Sequence, residues 1–350
     1  MRAIWPVALG ATVLAAASLP RAAQAPVQTA AQTLPSAQAR MVGAIKILNI
    51  RNSVYLLQGA GGNITVLAFP EGVTIIDSGA SAMADQVLAA IRTISTQPIR
   101  YIINTSVDPD HAGGNEKLAG VGRQITGGNF TAPDQAEVIA HEQVLNRMLA
   151  PSVQPPTPSL AVPATTYYTP TLKLSTLYHG DAVQLVHVRA AHTDGDTMVW
   201  LRHNDIIATG DIFQTTNYPV IDLERGGGIN GVIEGLNQVI DIAFPEFRLE
   251  NGTLIVPGHG RLCDIADVVY YRDMVTIIRD RVDDMVKKGA SLDQVKAAKL
   301  TRDYDPYYTQ NAATYSPEMF IESVYKSLAP KPAPARPAAP ARGAAPAPRR

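Results

Sequence analysis

From about Ala44 the chain alternates short aliphatic and β-branched runs with clusters of turn-forming residues. Lys46 to Asn49, Val54 to Gln58, Asn63 to Ala68 and Val73 to Ile76 read as four strands, divided by Arg-Asn-Ser, Gly-Ala-Gly-Gly and Pro-Glu-Gly breaks. Such closely spaced runs predict an antiparallel meander. Ser81 to Ile94 then changes to helical spacing through Met83, Val87, Leu88 and Ile91, and Ile99 to Ile103 is a further strand. Ala132 to Leu149 carries a second helical pattern. Pro151 to Pro170, rich in Pro, Ser and Thr, is expected to be a surface loop near a site mouth.

A second set of strands follows: Leu172 to Leu177, Ala182 to Val188, Thr197 to Leu201, Asp205 to Thr209 and Thr253 to Val256. Gly231 to Ile242 has helical spacing, and Ile265 to Lys288 reads as a long amphipathic helix. Ser291 with Gln294 forms a capping box for the next helix, and Ser316-Pro317-Glu318 opens the last with a cap residue and a first-turn proline. Two halves, each running from strands to helices, predict two sheets packed together with helices outside.

Composition narrows the partners. With 46% hydrophobic and 17% charged residues the chain is core-forming, and a formal net charge of -1 gives no general attraction to phosphate backbones or anionic lipid. Nucleic acid is not an expected partner, a small-molecule substrate is, and the oligomeric state stays open. Met1 to Ala25 has an early arginine, a short apolar run and an Ala-Gln-Ala end, as an export signal does. The mature protein is therefore expected in the periplasm or outside the cell, without stable membrane insertion. The single cysteine, Cys263, has no partner for a disulfide and reads as core. The last stretch, 329–350, is Pro/Ala-rich and basic, a composition expected to stay extended and solvated. The folded domain is expected over 40–328.

Four loops that follow apolar β-type runs carry groups able to hold a metal. The first has Ser106, Asp108, Asp110 and His111; the others have His192, Asp211 and His259 in turn. Alone, each histidine or Gly-Asp pair has an ordinary explanation in a turn. Together, four loops at strand ends from one sheet region can bring carboxylates and imidazoles to one point, a mixture that zinc, iron and manganese all accept. Asp77 and Asp196 can orient such ligands or simply cap turns. His141, His179, His187 and His203 fit no such loop and read as structural, while Tyr167, Tyr168 and Tyr218 are candidates to line the mouth.

At these residues the chain resembles the metallo-β-lactamase fold superfamily, whose first loop reads T-H-x-H-x-D-H-x-G-G. Thr105 to Gly114 aligns with it without a gap; His192, Asp211 and His259 match the later metal loops, and Ile75-Ile76-Asp77-Ser78-Gly79 matches the segment before the first helix. The resemblance spans roughly Ile45 to Asp264. It implies an αββα sandwich, an α/β layered fold here extended by C-terminal helices, with metal between the upper edges of the two sheets. The residues implied for the second metal are all kept: Asp110, His111, Asp211 and His259. Those implied for the first are altered, with Ser106 and Asp108 replacing two histidines beside His192. Asp108 is then either a ligand or a base for water on the intact site, with Asp110 as the other residue able to position that water. Ser106 is a weak ligand, better suited to a hydrogen bond.

The expected function is hydrolysis of an ester, lactone, thioester or amide bond, β-lactams included, by a metal-activated water. Zinc is the first expectation, as one ion or two, with iron or manganese as alternatives. An iron-dependent oxidoreductase, favoured by the carboxylates, and an inactive metal-binding protein are the competing readings.

Overall fold

The computed structural model describes residues 39–124, 134–175, 180–243 and 252–329. The expected export signal, the basic tail from 330 and His179 lie outside the described residues.

The chain opens as a meander. Strands β1 (Arg40–Val42), β2 (Ile45–Arg51), β3 (Val54–Ala60), β4 (Gly62–Phe69) and β5 (Gly72–Ile76) pair antiparallel in sequence order. After a 3-10 turn and helix α1 (Ala84–Ile94), the direction rule changes: β6 (Ile99–Ile103), β7 (Glu137–His141) and β8 (Thr165–Tyr167) extend the same sheet in parallel. Helices α2 (Pro109–Ala112) and α3 (Asn115–Gly120) lie between β6 and β7, and α4 (Glu142–Met148) follows β7. The second sheet has the order β13-β12-β11-β10-β9, from β9 (Thr171–Lys173), β10 (Val183–His187), β11 (Thr197–Leu201), β12 (Ile206–Ala208) and β13 (Leu254–Val256). Helices α5 (Ile229–Ala243), α6 (Ile265–Lys287), α7 (Leu292–Ala297) and α8 (Pro317–Leu328) complete the described fold.

Alternation along the strands builds two helix-covered layers. Ile64 and Val66 of β4 face one core with Ile75, Val87 and Ile91, so α1 covers the outer side of the first sheet. Met198 of β11 and Ile207 of β12 face another with Leu236, Val275 and Phe320, so α5, α6 and α8 cover the second. Intervening residues such as Leu56, Leu67, Leu185 and Val199 are buried too, which leaves the inner faces of the sheets to each other. The expected αββα layering is what the chain adopts. Among the described residues, no helix is long and apolar enough to cross a membrane.

Three expectations need correction. The helix expected over Ala132 to Leu149 begins only at Glu142; Glu137–His141 is strand β7, lying between β6 and β8. Its Val138-Ile139-Ala140 run is apolar on both faces, and such a run has no period by which to tell strand from helix. The expected loop Pro151 to Pro170 contributes β8 to the first sheet. Of the strand expected over Leu172 to Leu177, Leu172 and Lys173 belong to β9 (Thr171–Lys173) while 174 and 175 are not strand, and 176–177 lie outside the described residues. Elsewhere local signals decide. Both halves of the Ser291–Gln294 capping box form, and the Ser316 hydroxyl accepts the Met319 N–H.

Candidate metal centre

Strand order explains why the loops meet. β12 and β13 are parallel neighbours, so their carboxyl ends lie side by side and deliver Asp211 and His259 to the same place. The two loops are joined by the Gly258 N–H, which donates to Gly210 O at 2.9 Å, and by Thr215 N–H to His259 O at 3.1 Å. In the first sheet, parallel β5 and β6 set Asp77 beside the loop that carries Asp108, Asp110 and His111. Thr197 N–H donates to Thr105 O at 2.8 Å, tying that loop to the second sheet.

The first loop is held at both ends. Asn104 and Asn115 exchange amide hydrogen bonds of 3.1 and 2.7 Å, and Asn115 also donates to Ala161 O at 2.9 Å. Ser78 Oγ donates to Asn115 Oδ1 at 2.8 Å. Within this clasp Asp108 precedes a single helical turn with Pro109 at its start, and Asp110 and His111 sit on that turn.

His111 is wholly buried, and its Nδ1–H donates to Asp77 Oδ2 at 2.7 Å. Asp77 is itself fixed, because its carboxylate accepts the Thr105 N–H at 2.8 Å and hydroxyl at 2.7 Å. The Nε2 atom of His111 is thereby turned toward Asp211 Oδ1, 3.2 Å away. His259 Nε2 stands 3.4 Å from the same oxygen and 3.2 Å from Asp110 Oδ2. Bonds to a tetrahedral zinc put neighbouring donors roughly 3.3 Å apart, so these separations are those of ligands around one ion. Two imidazoles and two carboxylates form a donor set that suits a divalent metal.

A second group, Asp108, His192 and Asp211, adjoins the first through Asp211, whose Oδ2 is 3.9 Å from His192 Nε2. Here the contacts are direct. His192 Nε2 is hydrogen-bonded to Asp108 Oδ2, and its Nδ1–H donates to Val220 O at 2.8 Å. The other oxygen of Asp108 takes an ion pair from Arg225 Nη2 at 2.6 Å, and Arg225 Nε binds Asp222 Oδ2 at 2.7 Å.

Burial and charge oppose each other throughout the centre. Burial would lower the His192 imidazole, but the Asp108 hydrogen bond and the charges of Asp211 and Asp196 push it up to about 10. His111 is raised well above its ordinary value against the same burial, by Asp211 and Asp77. His259 is raised against burial by Asp110 and Asp211. Burial alone would raise Asp211, yet the surrounding His111, His192 and His259 hold it far below the usual carboxylate range. The field of the site favours positive charge at its middle, as a cation site requires.

The structure thus brings Asp110, His111, Asp211 and His259 together, with Asp108 and His192 alongside. Ser106 Oγ accepts the Asp108 N–H at 3.3 Å, the hydrogen-bonding part expected of it. Asp77 orients a histidine, whereas Asp196 closes its own turn by accepting the Thr193 N–H at 2.8 Å and hydroxyl at 2.6 Å. Tyr167 and Tyr218 are corrections. Both are buried, with Tyr167 bonded to Thr197 Oγ1 and the Tyr218 hydroxyl to Asp305 Oδ1 and Thr301 O. They brace the framework, and only Tyr168 is exposed. Cys263 is buried core, and burial pushes its thiol up. Sequence reading passed over Arg225 and the Asn104–Asn115 clasp. Arg225 lies seven residues after Tyr218, one of the candidates to line the mouth, and is the one Lys or Arg in 218–228.

Comparison with known proteins gives the same neighbourhood. Residues 57–259 match the family model of the metallo-beta-lactamase superfamily. A linear primary-alkylsulfatase from a Pseudomonas species is 23% identical over 283 residues, covering 70% of this chain and 52% of that protein. The chain therefore spans about half the length of this curated relative. A stereoselective inverting sec-alkylsulfatase from Pseudomonas superposes with a TM-score of 0.57 at 15% identity, covering 80% of this chain and 49% of that one. A metallo-beta-lactamase from Pontibacter korlensis gives 0.50 at 16% identity, over 66% of this chain and 99% of that one. At these identities the superpositions speak for the fold.

Proposed function

The chain belongs to the metallo-β-lactamase superfamily, and from that premise we propose that it is an exported hydrolase that uses a divalent ion, zinc first, to cleave an ester, lactone, thioester or amide bond. The observation that carries this reading is the convergence of His111 Nε2 and His259 Nε2 on Asp211 Oδ1, at 3.2 and 3.4 Å, with Asp110 closing the set. These four residues would hold the ion. When bound, such an ion lowers the pKa of a coordinated water and polarises the bond to be cut.

The chain's own contributions divide by position. Asp211, deeply ionised between three histidines, serves as an anchor rather than a base. Asp108 has both oxygens engaged, by His192 and Arg225, which leaves Asp110 as the carboxylate for handling a proton. Asp110 has a side chain 38% exposed and is held below its ordinary range against burial by His259 and His111, so it is ionised and reachable from solvent. The small-molecule substrate enters on that side.

A panel of chromogenic ester, lactone, thioester and β-lactam substrates tests the reading, each with and without chelator. A linear alkyl sulfate joins the panel because the curated relative bears that name. Chelator-sensitive turnover of one class, lost together with metal in His259→Ala and Asp110→Ala, is the expected result. Those variants keeping both metal and turnover would refute it. The carboxylates also support an iron- or manganese-dependent oxidoreductase as a second reading. Clean zinc in protein expressed without metal supplementation removes that alternative.

A further inference from the structure

The altered half of the centre already contains a cation, the guanidinium of Arg225. Its Nη2 lies 2.6 Å from Asp108 Oδ1, while the other Asp108 oxygen is hydrogen-bonded to His192 Nε2. The two groups best able to bind a neighbouring ion are therefore bound to each other and to Arg225. Ser106, the third residue of this half, is turned to the Asp108 backbone.

Arg225 is built in rather than draped over the surface. Asp222 accepts its Nε at 2.7 Å and its backbone N–H at 2.9 Å, and its carbonyl accepts the Asp194 N–H at 2.8 Å. The loop is stitched to the His192 loop by Asp222 N–H to His192 O and Gly228 N–H to Ala191 O, each 2.9 Å. The approach is close enough that a β-carbon on Gly227 would stand 2.2 Å from His192 O. A planar guanidinium can bridge Asp108 and Asp222 with fixed geometry, which a lysine cannot reproduce in both contacts. A divalent ion between Asp108 and His192 would have to displace this ion pair and then sit beside the fixed positive charge.

We propose that Arg225 takes the place of a second metal ion: its ion pair with Asp108 closes the Asp108–His192 half-site, so the protein binds a single ion at Asp110, His111, Asp211 and His259. The inference rests on the reading of those four residues as a metal site. It makes Arg225 a positioning residue that acts through Asp108.

The test is metal stoichiometry, read independently of turnover. The full chain is stripped with chelator, equilibrated with zinc, desalted and analysed for metal per chain, with cobalt substitution followed by its visible spectrum. The expected values are about one ion for the native protein and about two for Arg225→Met, which keeps an aliphatic stem and removes the charge. The double variant Arg225→Met with Asp108→Asn should return to about one. Two tightly held ions in the native protein would sink the inference while leaving the hydrolase reading intact. A folded Arg225→Met still holding one ion would sink it too, and Arg225→Gln carries the same criterion if the first variant fails to fold. Native protein that holds no ion overturns both this inference and the metal-dependent function.

Discussion

His111 gives its Nδ1–H to Asp77 Oδ2 at 2.7 Å in a fully buried setting, and this one contact determines which nitrogen of the imidazole faces the candidate ion site. Asp77 achieves it from a left-handed backbone conformation, φ 64°, which asparagine also tolerates. Asp77→Asn should therefore keep the turn but weaken the support of His111. Metal affinity is expected to fall about 10- to 100-fold, measured by competition with a chromogenic chelator. Unchanged affinity would mean that Asp77 serves the turn alone.

Gly258 stands against the middle of the centre. A β-carbon there would lie 2.5 Å from Asp211 Oδ1 and 2.7 Å from Gly210 O, a distance that forces one of them to move. Gly258→Ala should thus lower metal affinity by at least about tenfold, because the displaced oxygen is the one His111 and His259 share. Metal titration and a circular dichroism spectrum together separate this local effect from loss of fold.

Asn115 joins Asn104, Ser78 and Ala161 in a buried polar cluster beneath the first loop. Asn115→Ala leaves the Asn104 amide and Ala161 O without these partners, and should cost about 2 to 3 kcal/mol of stability. Urea unfolding of the metal-free protein is the direct measurement. A loss below half a kcal/mol, on the order of an ordinary surface change, would contradict the clasp.

His141 ties stability to pH. Burial and the neighbouring His187, stacked on it with 3.6 Å between ring centroids, lower its pKa from 6.5 to about 4. Its Nδ1 accepts the Gln143 N–H at 3.3 Å at the start of α4, and a proton on Nδ1 would break that bond. Near His187 the facing groups are the Asp194 carbonyl, which accepts His187 Nε2–H at 3.0 Å, and the Asp194 carboxylate. Because the unfolded chain binds this proton more tightly, the contribution is present above pH 6.5 and is lost as pH falls toward 4. His141→Asn keeps an acceptor for Gln143 and does not titrate. Urea midpoints from pH 7 down to 4.5 should fall less steeply in this variant than in the native protein.

Much of the centre was legible because its chemistry is carried by short sequences. Each candidate donor lies in a loop directly after an apolar β-type run, and the family resemblance then implied Asp110, His111, Asp211 and His259 as one set before their convergence was visible. The capping residues Ser291 and Ser316 were readable for the same reason, since a cap involves residues three apart. β7 was not, because its neighbours β6 and β8, rather than any pattern within Glu137–His141, make it a strand. Nor was the burial of Tyr218, whose hydroxyl partners Thr301 and Asp305 belong to the distant C-terminal region.

The sequence by itself determined the strand-and-helix alternation, the helix starts and which loops carry candidate metal ligands, because these depend on periodicity, on residues within a few positions of one another and on a short motif shared with a family. Tertiary structure alone decided that Asp108 meets His192 and Arg225, and hence that one half of the centre is spaced for an ion while the other is closed by an ion pair. Ion pairing depends on distance in space, and the three loops involved come together only when the sheets stack.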